Sequence, residues 1–346
     1  MTRLKALAAR LVVMLVVVAM LPAMVTEARA EEGVRALGPR APVPMAATGL
    51  RAPVRVPAGV TAGYVVDLGT GKVTARHQEH HRFRSASVVK ILIALDYLER
   101  HKGPIPKKDL GLLVPMLRGS DDNAATALWR RGGQGRIVQR VARKLRLADT
   151  GPPPAAKPGF WGYTAISASD IALVYRYLLE RADPRVRDFI LGQLRKAWQC
   201  ASDGFDQYFG IPRAVPRPWA VKQGWSGFGA VPPVKCVKAR TTSSPLPMSP
   251  PLSSAVPYAS SGGERAVDHP LAGSPSPVRG LASTGSATSP AAPDPVDFSR
   301  PVLHTTGVIG DRLIMVVLTL QPPGASFAGS AKRVTKLARD VYLSVV

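Results

Sequence analysis

The chain has 346 residues, with 46 Lys and Arg against 23 Asp and Glu, a net charge of +23, and only two cysteines. That length suits one two-lobed domain with a substantial core, and two thiols make no disulfide framework. The basic excess favours anionic surfaces such as wall polymers or lipid headgroups, and no nucleic-acid recognition motif accompanies it.

Arg3, Lys5 and Arg10 precede the short apolar run Leu11 to Leu21, and Ala28-Arg29-Ala30 follows as a small-x-small cleavage site. This pattern predicts a secretory signal cleaved after Ala30, hence an extracellular protein with no stable membrane anchor. Residues 31–58 are rich in Pro, Ala and Arg without periodicity, which predicts a flexible leader. A hairpin is expected over Thr61 to Arg76, turning at Leu68-Gly69-Thr70-Gly71. A helix from about Ser87 to Arg100 follows. Residues 108–216 read mainly as helices, clearest over 124–131, 135–147 and 167–181, with Ser167 and Asp170 resembling a capping box.

Between the last two helices, Asp149 to Thr164 is a loop by its prolines and glycine. Trp219 to Lys222 reads as a strand. Val302 to Ile309 and Leu313 to Leu320 flank a turn at Gly310-Asp311, and an amphipathic helix closes the chain. The stretch from about 239 to 299 is Ser-, Pro-, Ala- and Gly-rich and lacks large apolar residues. It predicts a disordered insertion between two strands that should be neighbours in the sheet. Cys200 and Cys236 are free to pair in an exported protein, and the spacing does not decide whether they do.

The chemistry starts at Ser87-Val88-Val89-Lys90, at the head of a helix that is apolar all round and so buried. Burial disfavours the charged form of Lys90 and pushes its pKa toward neutrality. Positions three apart share a helix face, so Ser87 Oγ meets an amine able to take its proton. Ser120-Asp121-Asp122-Asn123 stands before the next clear helix, and Lys222-Gln223-Gly224 ends a strand. One such motif recurs by chance; three in this order carry weight.

This arrangement resembles the serine β-lactamase and penicillin-binding protein superfamily, and most of all class A β-lactamase-like exported serine hydrolases. The resemblance implies a two-lobed α/β (α+β) fold. An antiparallel sheet lobe comes from both chain ends (59–82 and 217–346), an all-helical lobe from 83–216, and the site lies between them. It implies that Ser87 attacks a carbonyl, Lys90 takes its proton, and Ser120 relays a proton to the leaving nitrogen. Lys222 would hold Ser120 and attract a substrate carboxylate, and the N–H groups of Ser87 and Trp225 would form the oxyanion hole. The implied substrate is a small molecule or peptide bearing an amide or ester, handled by a monomer without cofactor or metal.

Three departures bear on activity. Asp122 stands where the family has an asparagine and, ionised, cannot donate a hydrogen bond; a one-residue shift would restore Asn123 but lose the serine. Gln223 replaces a threonine or serine, and its amide is expected to donate to the substrate beside Gly224 and Trp225. The loop glutamate that activates the deacylating water in class A enzymes has no counterpart between Glu99 and Glu180, where Asp149 is the loop's only acid. Slow deacylation is the expectation. A degenerate binder of wall peptides and a D-alanyl-D-alanine carboxypeptidase or transpeptidase are the alternatives.

Other features have plainer readings. Ser120 could simply cap a helix, as could Asp121 or Asp122. His77, Glu79, His80 and His81 form an exposed polar loop rather than a metal site. Arg136, Arg140, Arg143 and Lys144 make a solvated basic stripe, with an anionic polymer as the lesser reading. Phe160, Trp161 and Tyr163 pack the loop or wall a substrate.

Overall fold

A computed structural model describes residues 54–237 and 295–346 of the chain. The signal-like segment, most of the leader and the span 238–294 lie outside the described residues.

β1 (Thr61–Asp67) ends at an aspartate whose carboxylate accepts from Gly69 N and Gly71 N at 2.8 and 3.1 Å. That turn sends the chain back as β2 (Val73–His77), the exposed edge strand. The five-stranded antiparallel sheet runs β2-β1-β7-β6-β5, with β5 Trp219–Ser226, β6 Val302–Ile309 and β7 Leu313–Leu320. Pairing of β1 with β7 joins the two ends of the lobe, and β5 pairs with β6 across the whole inserted segment. The expected neighbouring strands are therefore neighbours.

The helices are α1 (Lys90–Arg100), α2 (Lys107–Arg118), α3 (Asp122–Arg131), α4 (Gly135–Leu145), α5 (Ala168–Glu180), α6 (Pro184–Arg195), the short α7 (Ile211–Ala214) and α8 (Phe327–Leu343). Strand alternation divides the core. Val221, Met315 and Val317 face Leu337, Ala338 and Val341 of α8, whereas Ala220, Ile314 and Val316 join the helical lobe. Within that lobe Ile91 to Leu95 are all essentially inaccessible, so truncating Leu92 to Ala would cost about 2–5 kcal/mol.

Several expectations are corrected. The leader stops short of residue 58, because Val54 and Val56 pack against the α8-side core. The insertion ends earlier than 299: Asp297 Oδ1 accepts from Ser299 N and Arg300 N, and the Arg84 guanidinium donates to the carbonyls of Phe298 and Arg300. The basic stripe on α4 is partly engaged, with Arg140 clasping Asp96 bidentately at 2.6 and 2.7 Å and Lys144 on Glu99. Cys200 and Cys236 form a disulfide. His80 binds Asp149 at 2.8 Å, while His77 stacks on Tyr64 and His81 meets Phe83 edge to face. Among the described residues no helix is long and apolar enough to cross a membrane.

Candidate active site

Two-residue strands β3 (Phe83–Arg84) and β4 (Ala165–Ile166) anchor the chain entering the Ser87 turn, and Ser85 N donates to Thr164 O at 2.7 Å. Ala86 then adopts φ +44°, a left-handed conformation costing roughly 1 kcal/mol or more in a non-glycine residue. It sets up a single 3-10 turn, Ala86–Val89, ahead of α1. The expected helix start is thus a tighter turn, which opens Ser87 to a cleft while Lys90 lies wholly inside.

The second motif arrives on the end of α2. Pro115 O accepts from both Gly119 N (2.8 Å) and Asp121 N (3.2 Å), bending the chain so that Ser120 sits at φ +57°. Asp121, not Ser120, caps α3 by accepting from Ala124 N at 2.8 Å. Ser120 Oγ is therefore left for the site. The third motif comes on β5, where a Cβ on Gly224 would stand 3.0 Å from Ser85 O and 3.1 Å from Val88 Cγ2. Only glycine lets the strand lie this close to the Ser87 turn.

Lys90 Nζ is 2.9 Å from Ser87 Oγ, 2.6 Å from Ser120 O, 2.6 Å from Asp122 Oδ1 and 3.3 Å from Ser120 Oγ. A neutral amine has two N–H groups and one lone pair. In that form the carbonyl and the carboxylate, which can only accept, would take the two N–H groups and leave the lone pair to the hydroxyl of Ser87. Burial holds the Lys90 pKa below its ordinary value of 10.5, even against the opposing pull of Asp122. Lys222 Nζ donates to Ser120 Oγ (2.8 Å) and Gln223 O (3.1 Å). Its pKa lies well below 10.5, first through burial and then through repulsion from Lys90.

The cleft, of about 260 Å³, is walled by Phe160, Trp161, Tyr163 and Trp225, with Asp122 and Asp203 among its lining. The loop ring of Trp161 lies 4.6 Å from Lys90 Nζ, and its Nε1 donates to Thr126 Oγ1 at 3.1 Å. Asp149 is elsewhere, accepting from Ser167 Oγ at 2.7 Å and hydrogen-bonded to His80.

Ser87, Lys90, Ser120, Asp122 and Lys222 are brought together. Gln223 is not: the period of two that points Lys222 and Gly224 at the helical lobe turns Gln223 to the opposite face, where its amide donates to Phe209 O. Asn123 is exposed on α3 and does not line the cleft. Asp203 went unnoticed in the sequence. It accepts from Phe205 N at 3.2 Å and Trp225 Nε1 at 3.1 Å, on a loop that the Cys200–Cys236 disulfide ties to the chain beyond β5. Desolvation raises its pKa above that of an ordinary aspartate.

A sheet lobe from both chain ends, a helical lobe from the middle and the three motifs at their junction constitute the serine β-lactamase and penicillin-binding protein fold. Solved structures agree. A class A β-lactamase from Mycobacterium abscessus superposes at TM-score 0.50 with 16% identity, covering 83% of this chain and 94% of that one. PBP-A gives TM-score 0.50 at 13% identity over 84% and 92% of the two chains, and a β-lactamase from Xanthomonas campestris pv. campestris gives 0.50 at 13% over 83% and 93%. No protein-family profile matches the chain, and no curated protein matches it in sequence.

Proposed function

We propose that this protein is an exported serine hydrolase that acylates itself on an amide or ester. Ser87 Oγ bonds to the substrate carbonyl carbon as Lys90 Nζ takes its proton. The oxyanion that forms is received by the N–H groups of Ser87 and Trp225, a role supported by the close approach of β5 to the Ser87 turn at Gly224. As the carbon–leaving-atom bond breaks, Ser120 Oγ passes its proton to the leaving nitrogen or oxygen and regains one from Lys90. The acyl group stays on Ser87 until water removes it. The observation that carries this reading is the 2.9 Å contact between Ser87 Oγ and a fully buried Lys90 whose other partners are acceptors.

Deacylation is the weak step. The loop presents the Trp161 indole toward Lys90 and holds no glutamate, and Asp149 is committed to Ser167 and His80. Efficient antibiotic hydrolysis is not expected; slow turnover of esters or peptides is. A disulfide supports export into an oxidising compartment, as does the signal-like N-terminus. The net charge of +23 favours contact with an anionic wall polymer.

Incubation with a fluorophosphonate or a fluorescent penicillin, followed by intact-mass spectrometry and peptide mapping, tests the proposal. One adduct on Ser87 is expected; folded protein that takes up no label excludes it. The short Lys90–Asp122 ion pair at 2.6 Å favours a second reading, a binder of wall peptides whose lysine stays protonated. Ester turnover that disappears in Ser87→Ala would exclude that second reading.

A further inference from the structure

We propose that the cleft selects positively charged acyl donors, the opposite of the carboxylate-bearing substrates expected of the family. This rests on the reading of Ser87 as the nucleophile. No lysine or arginine is among the described residues that line the cleft, whereas Asp122 and Asp203 both are. The two lysines of the motifs lie behind the surface, 0% and 1% exposed, and their N–H groups already serve Ser120, Asp122 and the Gln223 carbonyl. Gln223, standing where a hydroxyl would receive a substrate carboxylate, faces away.

The two carboxylates are built into the site. Asp122 keeps one oxygen on Lys90 while its side chain stays 64% accessible. Asp203 is steered by the Trp225 indole and the Phe205 N–H. The surrounding rings also suit cations, since the quadrupole of an aromatic face attracts an ammonium. Trp161 holds the Lys90 amine at 4.6 Å, and Lys157, outside the lining, stands 5.5 Å from the Tyr163 ring centre. A substrate carboxylate entering here would meet two negative charges and, among the described lining residues, only neutral donors such as the Tyr163 and Ser226 hydroxyls, with no lysine or arginine to pair with. An ammonium or guanidinium would find carboxylates and π faces.

The test uses three p-nitrophenyl esters of equal chain length, ending in trimethylammonium, methyl or carboxylate. Their kcat/KM is measured on the wild-type protein and on Asp203→Asn, Asp122→Asn and Ser87→Ala. A preference for the cationic over the anionic ester of about tenfold or more is expected, falling severalfold in each aspartate variant. Ratios within one variant cancel changes in its intrinsic rate. Equal or faster reaction of the anionic ester, or a ratio unmoved by both aspartate variants, overturns the proposal. Should no ester turn over, the nucleophile reading fails separately. Binding of butyltrimethylammonium and of valerate to Ser87→Ala, followed by ligand-observed NMR, then decides the cleft's preference alone: the cation must bind, and the carboxylate must bind more weakly.

Discussion

Lys222 Nζ donates to Ser120 Oγ at 2.8 Å although the two residues lie 102 positions apart and on different lobes. Ser120 is therefore held by the sheet, and its helix-capping duty falls to Asp121. The two neighbours should separate cleanly on mutation. Asp121→Ala should lower stability by about 1 kcal/mol in urea unfolding while acylation of Ser87 continues. Ser120→Ala should slow acylation at least tenfold. A Ser120→Ala protein that acylates at the wild-type rate would remove the relay from the mechanism.

The slow deacylation proposed above would leave a kinetic signature. With an activated ester, stopped-flow absorbance should show a burst equal to one product per protein, followed by a much slower steady state. Trp161→Glu places a carboxylate on the loop next to Lys90 and should raise the steady rate without enlarging the burst. A linear trace from the first turnover would show that water already reaches the acyl-enzyme easily.

Gly224 sets the distance between strand and nucleophile. In Gly224→Val the new side chain would strike Ser85 O and Val88, both within 3.1 Å of the Cβ, and β5 must withdraw from the turn. Loss of an oxyanion donor typically costs about 10²–10³ in rate. A comparable fall in acylation is expected with KM changed far less. An unchanged rate would place the oxyanion elsewhere.

Behind the same turn lies His304, fully buried, with Nε2 donating to Arg84 O at 2.9 Å and Nδ1 accepting from Thr319 N at 3.1 Å. Acceptance at Nδ1 requires the neutral ring, because both ring nitrogens of the imidazolium are donors. Burial pulls its pKa from 6.5 down to about 4. Between those values the unfolded chain binds a proton that the folded protein refuses, so stability falls as pH drops from 6.5 toward 4. The total is on the order of 3 kcal/mol, with no further loss from this group below pH 4. Imidazole NMR should give a midpoint near 4 for His304; a midpoint near 6.5 would contradict the neutral, tethered ring.

Much of this was legible in the sequence because the signals were local. Ser87 and Lys90 are three apart on an apolar run, and the strand pair around Gly310 declares its own turn. Gln223 was misread because a motif fixes position but not face, and one step along a strand reverses the side chain. Asp203 could not be found at all: its role depends on Trp225 and a disulfide that bring together residues with no shared periodicity. The two-residue strands β3 and β4 are equally silent, since their pairing is stabilised by tertiary contact rather than by propensity. Trp161 carried a hint, an aromatic in a loop otherwise poor in acids, but not its position above Lys90.

The most direct measurement is the rate of adduct formation on Ser87 as a function of pH, in wild type and in Lys90→Arg. A buried amine acting as base is active when deprotonated, so the wild-type rate should climb with pH and level off at a midpoint clearly below 10.5. Lys90→Arg, permanently charged, should lose about 10²–10⁴ of that rate and the pH step with it. An arginine variant that retains the wild-type rate and profile would show that Ser87 is activated by something other than Lys90.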